Sequence, residues 1–427
     1  MNKNLEDIFS FDKIADDCVK CGKCIPVCTI HNVNADEVTS PRGFIDLLGA
    51  YKAGNLELDK TAKDIFESCF LCTNCVEVCP KSLPTDMIIE QVRNDIAKKF
   101  GIAWYKKAFF ALLRHRKLND IAFKLGYTFQ TCGFKIKEET NSMNSRFSLP
   151  ILKTERTLPS LSKTSFLNSH QENIDNGGKR KVAVFIGCLA NYNYTDIGES
   201  LLEILAALNI DAFLAKDQKC CSAPAYFTGD FDTVDSNAKH NIAYFESFSR
   251  DVEAIIVPEA TCSAMLKIDY EHYFHDDPAW RARAQSIQRK IFMATEWLQH
   301  HTELEQLLAS KKKDTKIVTY HDPCHARKMQ GIHEEPRNLI RQNYKIVEMS
   351  DPNACCGFGG ITMQSEKYHF AKAAGTPKAA MIAKTGAEIV SAECSACRMQ
   401  INASMGYTDT KTVFKNPIEL IAEALRK

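Results

Sequence analysis

A chain of 427 residues is long enough for two or three domains with cores of their own. With 54 Lys and Arg against 53 Asp and Glu, the totals give nucleic acid no electrostatic foothold, and no such partner is expected. Eighteen cysteines are the outlier. The N-terminal stretch "MNKNLEDIFSFDKIADD" shows neither a charged-then-apolar leader nor twin arginines. The longest strongly apolar run, "AFFALL", is far too short to span a bilayer. The expected setting is the cytoplasm, where thiols stay reduced and clustered cysteines hold metal rather than form bridges.

In chain order, the first region covers residues 1–97 and holds two cysteine phrases, "DDCVKCGKCIPVCTIHN" and "ESCFLCTNCVEVCPKSL". Between them, "SPRGFIDLLGAYKAG" starts on Ser-Pro, ends on Gly and spaces its apolar residues as a helix does. "PTDMIIEQVRNDIAKKF" reads the same way, with Thr85 or Asp86 as its N-cap. Residues 98–135 are basic and aromatic, with no acidic residue between Asp95 and Asp120. On one helix, Ile102, Tyr105, Phe109, Leu112 and Leu113 share a face, with Arg116 intruding. Trp104, Tyr105 and the surrounding cations suit a helix lying on an anionic membrane or a partner. The alternative is a helix packed on the preceding domain. Residues 136–180 are rich in Ser, Thr, Asn and Lys and read as a linker.

From Lys181 the runs "KVAVFIG", "DAFLA", "AIIVP", "KIVTYH", "YKIVEM" and "AEIVSAE" alternate with helical stretches, which predicts α/β layers on a largely parallel sheet. The region repeats itself. "KVAVFIGCLANYN", "DQKCCSAPAYF" and "VPEATCSAMLKIDY" are echoed by "KIVTYHDPCHARK", "PNACCGFGGIT" and "SAECSACRMQIN". Two related units follow, at 181–310 and 311–427, with cysteines at strand ends, where sites are commonly built.

Each early phrase spaces four cysteines by two, two and three residues. Three thiolates so spaced wrap a loop around an iron–sulfur cubane, and the fourth comes from elsewhere. Zinc also accepts two-residue spacings, but normally as two separated pairs. Eight thiolates in two identical phrases fit that poorly. The phrases resemble those of two-cluster ferredoxins, and Pro80 fits that pattern while Thr29 departs from it. The resemblance implies one [4Fe–4S] cluster on Cys18, Cys21, Cys24 and Cys79, and a second on Cys69, Cys72, Cys75 and Cys28. The long connection between the phrases is similar to the helical ferredoxin domain of quinone-linked dehydrogenases.

In the last unit, Cys324, Cys355, Cys356, Cys394 and Cys397 form a Cys, Cys-Cys-Gly, Cys-x-x-Cys set. Adjacent cysteines point poorly at one small ion but reach different irons of a larger cluster, and Gly357, Gly359 and Gly360 permit close backbone approach. Here the chain resembles the CCG-domain family, which includes heterodisulfide reductase and the iron–sulfur subunits of glycolate oxidase, lactate-utilisation enzymes and anaerobic glycerol-3-phosphate dehydrogenase. The fold implied is α+β and multidomain, a helical ferredoxin domain followed by a duplicated α/β CCG pair. The resemblance also implies a non-cubane [4Fe–4S] cluster on those five cysteines. The first unit keeps Cys188, Cys220, Cys221 and Cys262 but has Ser222 in place of Gly and Met265 in place of the last Cys. Thioether sulfur is a weak ligand, so these four hold a cluster, a zinc ion or part of a shared site, or serve in packing.

His321 and His325 flank Cys324 and are read either as hydrogen-bond partners of cluster sulfur or as strand-end packing. Cys132 reads as an ordinary buried thiol. No Gly-rich nucleotide fingerprint appears, so neither flavin nor NAD is expected on this chain, and no residue is read as catalytic. The expected function is an electron-transfer subunit of a membrane-associated, FAD-linked dehydrogenase of lactate or glycolate, less readily of glycerol-3-phosphate. Its partners would be a FAD-binding subunit, with quinone or the cytoplasmic face of the inner membrane beyond it. The competing reading is a disulfide reductase whose non-cubane cluster cleaves the substrate.

Overall fold

Ser40 opens helix α1 (Pro41–Lys52) by accepting a hydrogen bond from the Gly43 N–H at 3.1 Å, with Pro41 preset for the first turn. Such a cap contributes about 1 kcal/mol. The computed structural model describes residues 11–148, 154–408 and 410–427, with side chains from residue 14. Helix α1 buries Phe44, Ile45 and Leu48 in the same core as Ile88, Ile89, Val92 and Ile96 of helix α2 (Thr85–Phe100). Neither Thr85 nor Asp86 caps α2. Pro84 holds that position without a side-chain bond, and the two polar residues lie inside the first turn. Arg93, buried in α2, donates to the carbonyls of Phe66, Cys69 and Phe227. One guanidinium thus fastens the second cysteine phrase to the α/β region.

The basic segment is two helices, α3 (Trp104–Arg114) and α4 (Arg116–Gly133), broken at His115. The face expected to meet a membrane or a partner is divided, with Leu113 buried against protein and Phe109 and the neighbouring Trp104 exposed. Phe110 and Leu113 are buried, Tyr105 donates to Glu366 at 2.6 Å, and Lys106 reaches Thr362 and Glu366. The expected linker also differs. Strands β1 (Phe134–Lys137), β2 (Ser142–Ser145) and β3 (Thr157–Pro159) form an antiparallel sheet, and β4 (Asn173–Ile174) joins the next one.

The two α/β units carry sheets ordered β4-β6-β5-β7-β8 and β10-β9-β11-β12. Their strands are β5 (Arg180–Val184), β6 (Ile210–Leu214), β7 (Ile255–Val257), β8 (Ile291–Met293), β9 (Ile317–Tyr320), β10 (Lys345–Ile346), β11 (Ile389–Ser391) and β12 (Val413–Lys415). All ladders are parallel except that of β4. The units share a core in which Val184, Ile256, Val318 and Ile389 meet. The last helix, α6 (Pro417–Leu425), packs on α5 (Asp196–Ala207) of the first unit, and Arg426 pairs with Glu203. Two exchanged carboxylates lock the strand ends together. Glu259 accepts from the Ser395 N–H at 2.9 Å, and Glu393 accepts from the Thr295 hydroxyl at 2.6 Å. The loops after β5, β7, β9 and β11, which carry Cys188, Cys262, Cys324 and Cys394, therefore face one another at the carboxyl ends of the strands.

Candidate metal centres

In the N-terminal domain the backbone winds the same way twice. Lys20 and Gly22 have φ of 51° and 75°, and Leu71 and Thr73, at the matching positions of the second phrase, have φ of 51° and 56°. Left-handed conformations cost a non-glycine residue about 1 kcal/mol. They turn the three close cysteines of each loop inward. Cys18, Cys21, Cys24 and Cys79 line one hollow, and Cys28, Cys69, Cys72 and Cys75 line another. Cys75 borders both, so the hollows are neighbours. Burial pushes the Cys69 thiol up to about 12 and Cys28 to about 11. Without a cationic centre such thiols stay protonated, and bound iron would supply the charge that ionises them. The departure at Thr29 has a local use, because its hydroxyl lies 3.3 Å from Cys72 Sγ.

Between the α/β units lies a cavity of about 150 Å³, and the nine remaining clustered cysteines line it. Cys324, Cys355, Cys356, Cys394 and Cys397 come from the second unit. Cys356 and Cys397 lie 3.3 Å apart, and Cys394 Sγ accepts from the Cys397 N–H at 3.4 Å. Gly357 has φ of 88°, and a Cβ there would stand 2.8 Å from the Gly375 nitrogen, so only glycine fits the turn. His321 is buried, and its Nδ1 sits 3.1 Å from the Pro352 carbonyl. Its Nε2 has no partner among the described residues. One ring nitrogen of His321 and the sulfurs of Cys356 and Cys397 lie within 4.8 Å of one another. With Nδ1–H donating to the Pro352 carbonyl and burial holding the ring neutral, Nε2 carries a lone pair, which fits a thiol donor or a bound metal ion rather than an acceptor. His325 Nδ1 is 3.4 Å from Cys324 Sγ, and its ring stacks on Phe227.

The first unit reproduces the scaffold without the full ligand set. Ser222 holds a φ of 77°, the turn that Gly357 makes in the second unit. Cys188, Cys220, Cys221 and Cys262 form a chain of thiol contacts, the last at 3.4 Å. Met265 occupies the place of Cys397 and is fully buried. Cys188 and Cys220 also border a small hollow with Arg116 and Asn119 of α4.

Two features of the site escape a reading of spacings. Cys72 lines both the second early hollow and, with Cys355, the cavity between the α/β units, so the second early hollow abuts the second unit's cysteines. Lys328 closes that seam, donating to the Cys72 and Asn353 carbonyls at 3.2 and 3.3 Å and to Asn74. A cation one turn after Cys324 on the same helix is the only sequence signal for it. Cys132, read as buried, is exposed.

Comparison with known proteins settles the family. A 4Fe-4S dicluster domain model matches residues 14–83, and a cysteine-rich CCG domain model matches 182–267 and 318–402. The chain is 30% identical over 355 residues to a probable glycolate oxidase iron-sulfur subunit of Bacillus subtilis, covering 81% of this chain and 79% of that protein. It belongs to the CCG-domain iron–sulfur proteins. A fumarate reductase (CoM/CoB) subunit of Methanothermobacter marburgensis is 26% identical, over 95% of this chain and 71% of its own. Lactate utilization protein A of Bacillus velezensis is 30% identical, over 54% and 93%. A hypothetical protein from Helicobacter pylori shares the fold, with a TM-score of 0.54 at 10% identity, covering 99% of this chain and 76% of that one. Among the described residues no helix is long and apolar enough to cross a membrane.

Proposed function

We propose that this chain is the iron–sulfur electron-transfer subunit of a membrane-associated, FAD-linked dehydrogenase of a small 2-hydroxy acid, lactate or glycolate, with glycerol-3-phosphate as the less favoured substrate. The observation that carries the reading is that Cys72 borders both its own hollow and the cavity lined by Cys355 and the rest of the complete CCG set, which joins the dicluster domain to that set. In this reading Cys18, Cys21, Cys24 and Cys79 hold one cubane, and Cys28, Cys69, Cys72 and Cys75 hold the second. Cys324, Cys355, Cys356, Cys394 and Cys397 hold an atypical four-iron centre. Bound clusters supply single-electron chemistry. The protein's own contribution is to keep the three ligand sets edge to edge, to leave only Cys21 of the first set exposed while the others are partly or fully buried, and to offset their negative charge with Lys328. Two-electron oxidation of the substrate then falls to a flavoprotein partner, and a quinone receives the electrons.

The expected result is that a flavoprotein co-purifies with the chain, and that adding lactate or glycolate anaerobically bleaches absorption at about 400 nm. A co-purifying flavoprotein that oxidises the acid while the iron–sulfur absorption stays oxidised contradicts the reading. The disulfide-reductase alternative has one observation in its favour, the cavity that opens between the two cysteine sets. Disulfide-dependent reoxidation of the reduced chain distinguishes it.

A further inference from the structure

Helix α4 is built inside out. Four of its polar side chains point into the protein. Asp120 accepts from the Tyr192 hydroxyl at 2.6 Å, Arg116 donates to the Lys216 carbonyl at 2.5 Å, and Gln130 exchanges hydrogen bonds with the backbone of Leu161. Asn119 is buried. Phe123 stacks inward on Tyr192, but four apolar residues point out: Leu118, Ile121, Leu125 and Phe129 are between 54% and 63% exposed. Their spacing of three, four and four residues puts them on one stripe, about 16 Å long at 1.5 Å per residue. Burying such a stripe is favourable, and among the described residues nothing covers it.

The chemistry around the stripe selects the occupant. Lys117 and Lys124 flank it and are exposed, and Asp120, the helix's only carboxylate, is turned inward. At the far end Arg146 donates to the Thr131 carbonyl, beside a 66% exposed Phe147. Protein interfaces are depleted in lysine. Lysines whose stems lie along apolar surface while their ammonium groups reach upward suit a layer of anionic headgroups. We propose that α4 is an interfacial membrane seat, with Leu118, Ile121, Leu125 and Phe129 in the acyl boundary of an anionic lipid surface and Lys117 and Lys124 at its phosphates. Because Arg116 and Asn119 of the same helix border the hollow containing Cys188 and Cys220, the seat lies against the first CCG unit. This deepens the membrane-associated reading above and rests on it.

The test is flotation of the anaerobically purified full chain with vesicles of phosphatidylcholine alone or mixed with phosphatidylglycerol. Wild type is expected to float with the anionic vesicles, less so at high salt, and not with the neutral ones. The double variant Ile121→Glu/Leu125→Glu is expected to lose at least about tenfold in partitioning, with unchanged circular dichroism and cluster absorption. Lys117→Glu/Lys124→Glu is expected to lose the anionic preference. Vesicle binding that survives both variants overturns the seat, as does a wild type that ignores both vesicle types. A wild-type dimer that Ile121→Glu/Leu125→Glu renders monomeric, without vesicle binding, also overturns it and assigns the stripe to a second copy. Paramagnetic resonance of the same samples separates the two claims. Clusters without vesicle binding sink the seat alone, whereas lipid-selective flotation without clusters upholds the seat and sinks the electron-carrier reading.

Discussion

The two CCG units share a fold and differ in what they offer a metal. Both end parallel strands at cysteines, both make the same left-handed turn after a Cys-Cys pair, and each sends a carboxylate into the other. In the second unit the turn is Gly357, five thiols converge and a buried His321 nitrogen beside them has no partner among the described residues. In the first, Ser222 bears the strained turn and a fully buried Met265 fills the fifth position. The scaffold therefore does not depend on a complete ligand set. The core shared by Val184, Ile256, Val318 and Ile389 holds both units, and the missing ligand changes chemistry rather than architecture.

The largest expected effect breaks this asymmetry at its strong end. Cys356→Ala removes a thiol that touches Cys397, and electron delivery from donor to acceptor should fall by about a hundredfold or more, measured by anaerobic stopped flow. Cys221→Ala, its counterpart, should stay within about threefold. Next, Met265→Cys restores the fifth thiol to the first unit. Anaerobic reconstitution should then raise bound iron by about four atoms per chain, measured colorimetrically. A smaller effect probes the seam between domains. Lys328→Met removes the cation beside Cys72, and a neighbouring centre should become harder to reduce by an amount on the order of tens of millivolts in a redox titration.

The smallest effect tests the first unit's buried charge. Burial, with His325 drawing it down and Asp86 pushing it up, raises Asp269 from its usual range to about 7. The folded state thus holds a proton that the unfolded state has released, and this group's contribution to stability falls as pH rises from about 4 to about 7. Asp269→Asn does not titrate. Its stability relative to wild type should rise by on the order of 2 kcal/mol between pH 5 and pH 8, measured by denaturant unfolding.

The cysteine spacings made the dicluster domain, the duplication and the degenerate first unit legible, because ligand chemistry fixes residue type and interval together. Six strands of the α/β region were legible from their β-branched runs. Strands β1 to β3 were not, since "SMNS" and "TLP" lack an apolar alternation and "FKIK" carries one for only four residues. The basic segment was legible as helix but not in its orientation. Periodicity reports that a helix has an apolar side, and only tertiary contacts decide which side is inward. In α4 the inward side is the polar one. The approach of Cys72 to the cavity that Cys355 lines was likewise invisible, because the two are far apart in sequence and come near only when Lys328 and Arg93 fasten the domains together.

Iron quantitation with paramagnetic resonance on oxygen-free protein, wild type beside Cys356→Ala, tests the ligand assignment most directly. About twelve iron atoms per wild-type chain and a distinct third signal that vanishes in the variant are predicted. About eight, with spectra identical in the two proteins, would contradict it.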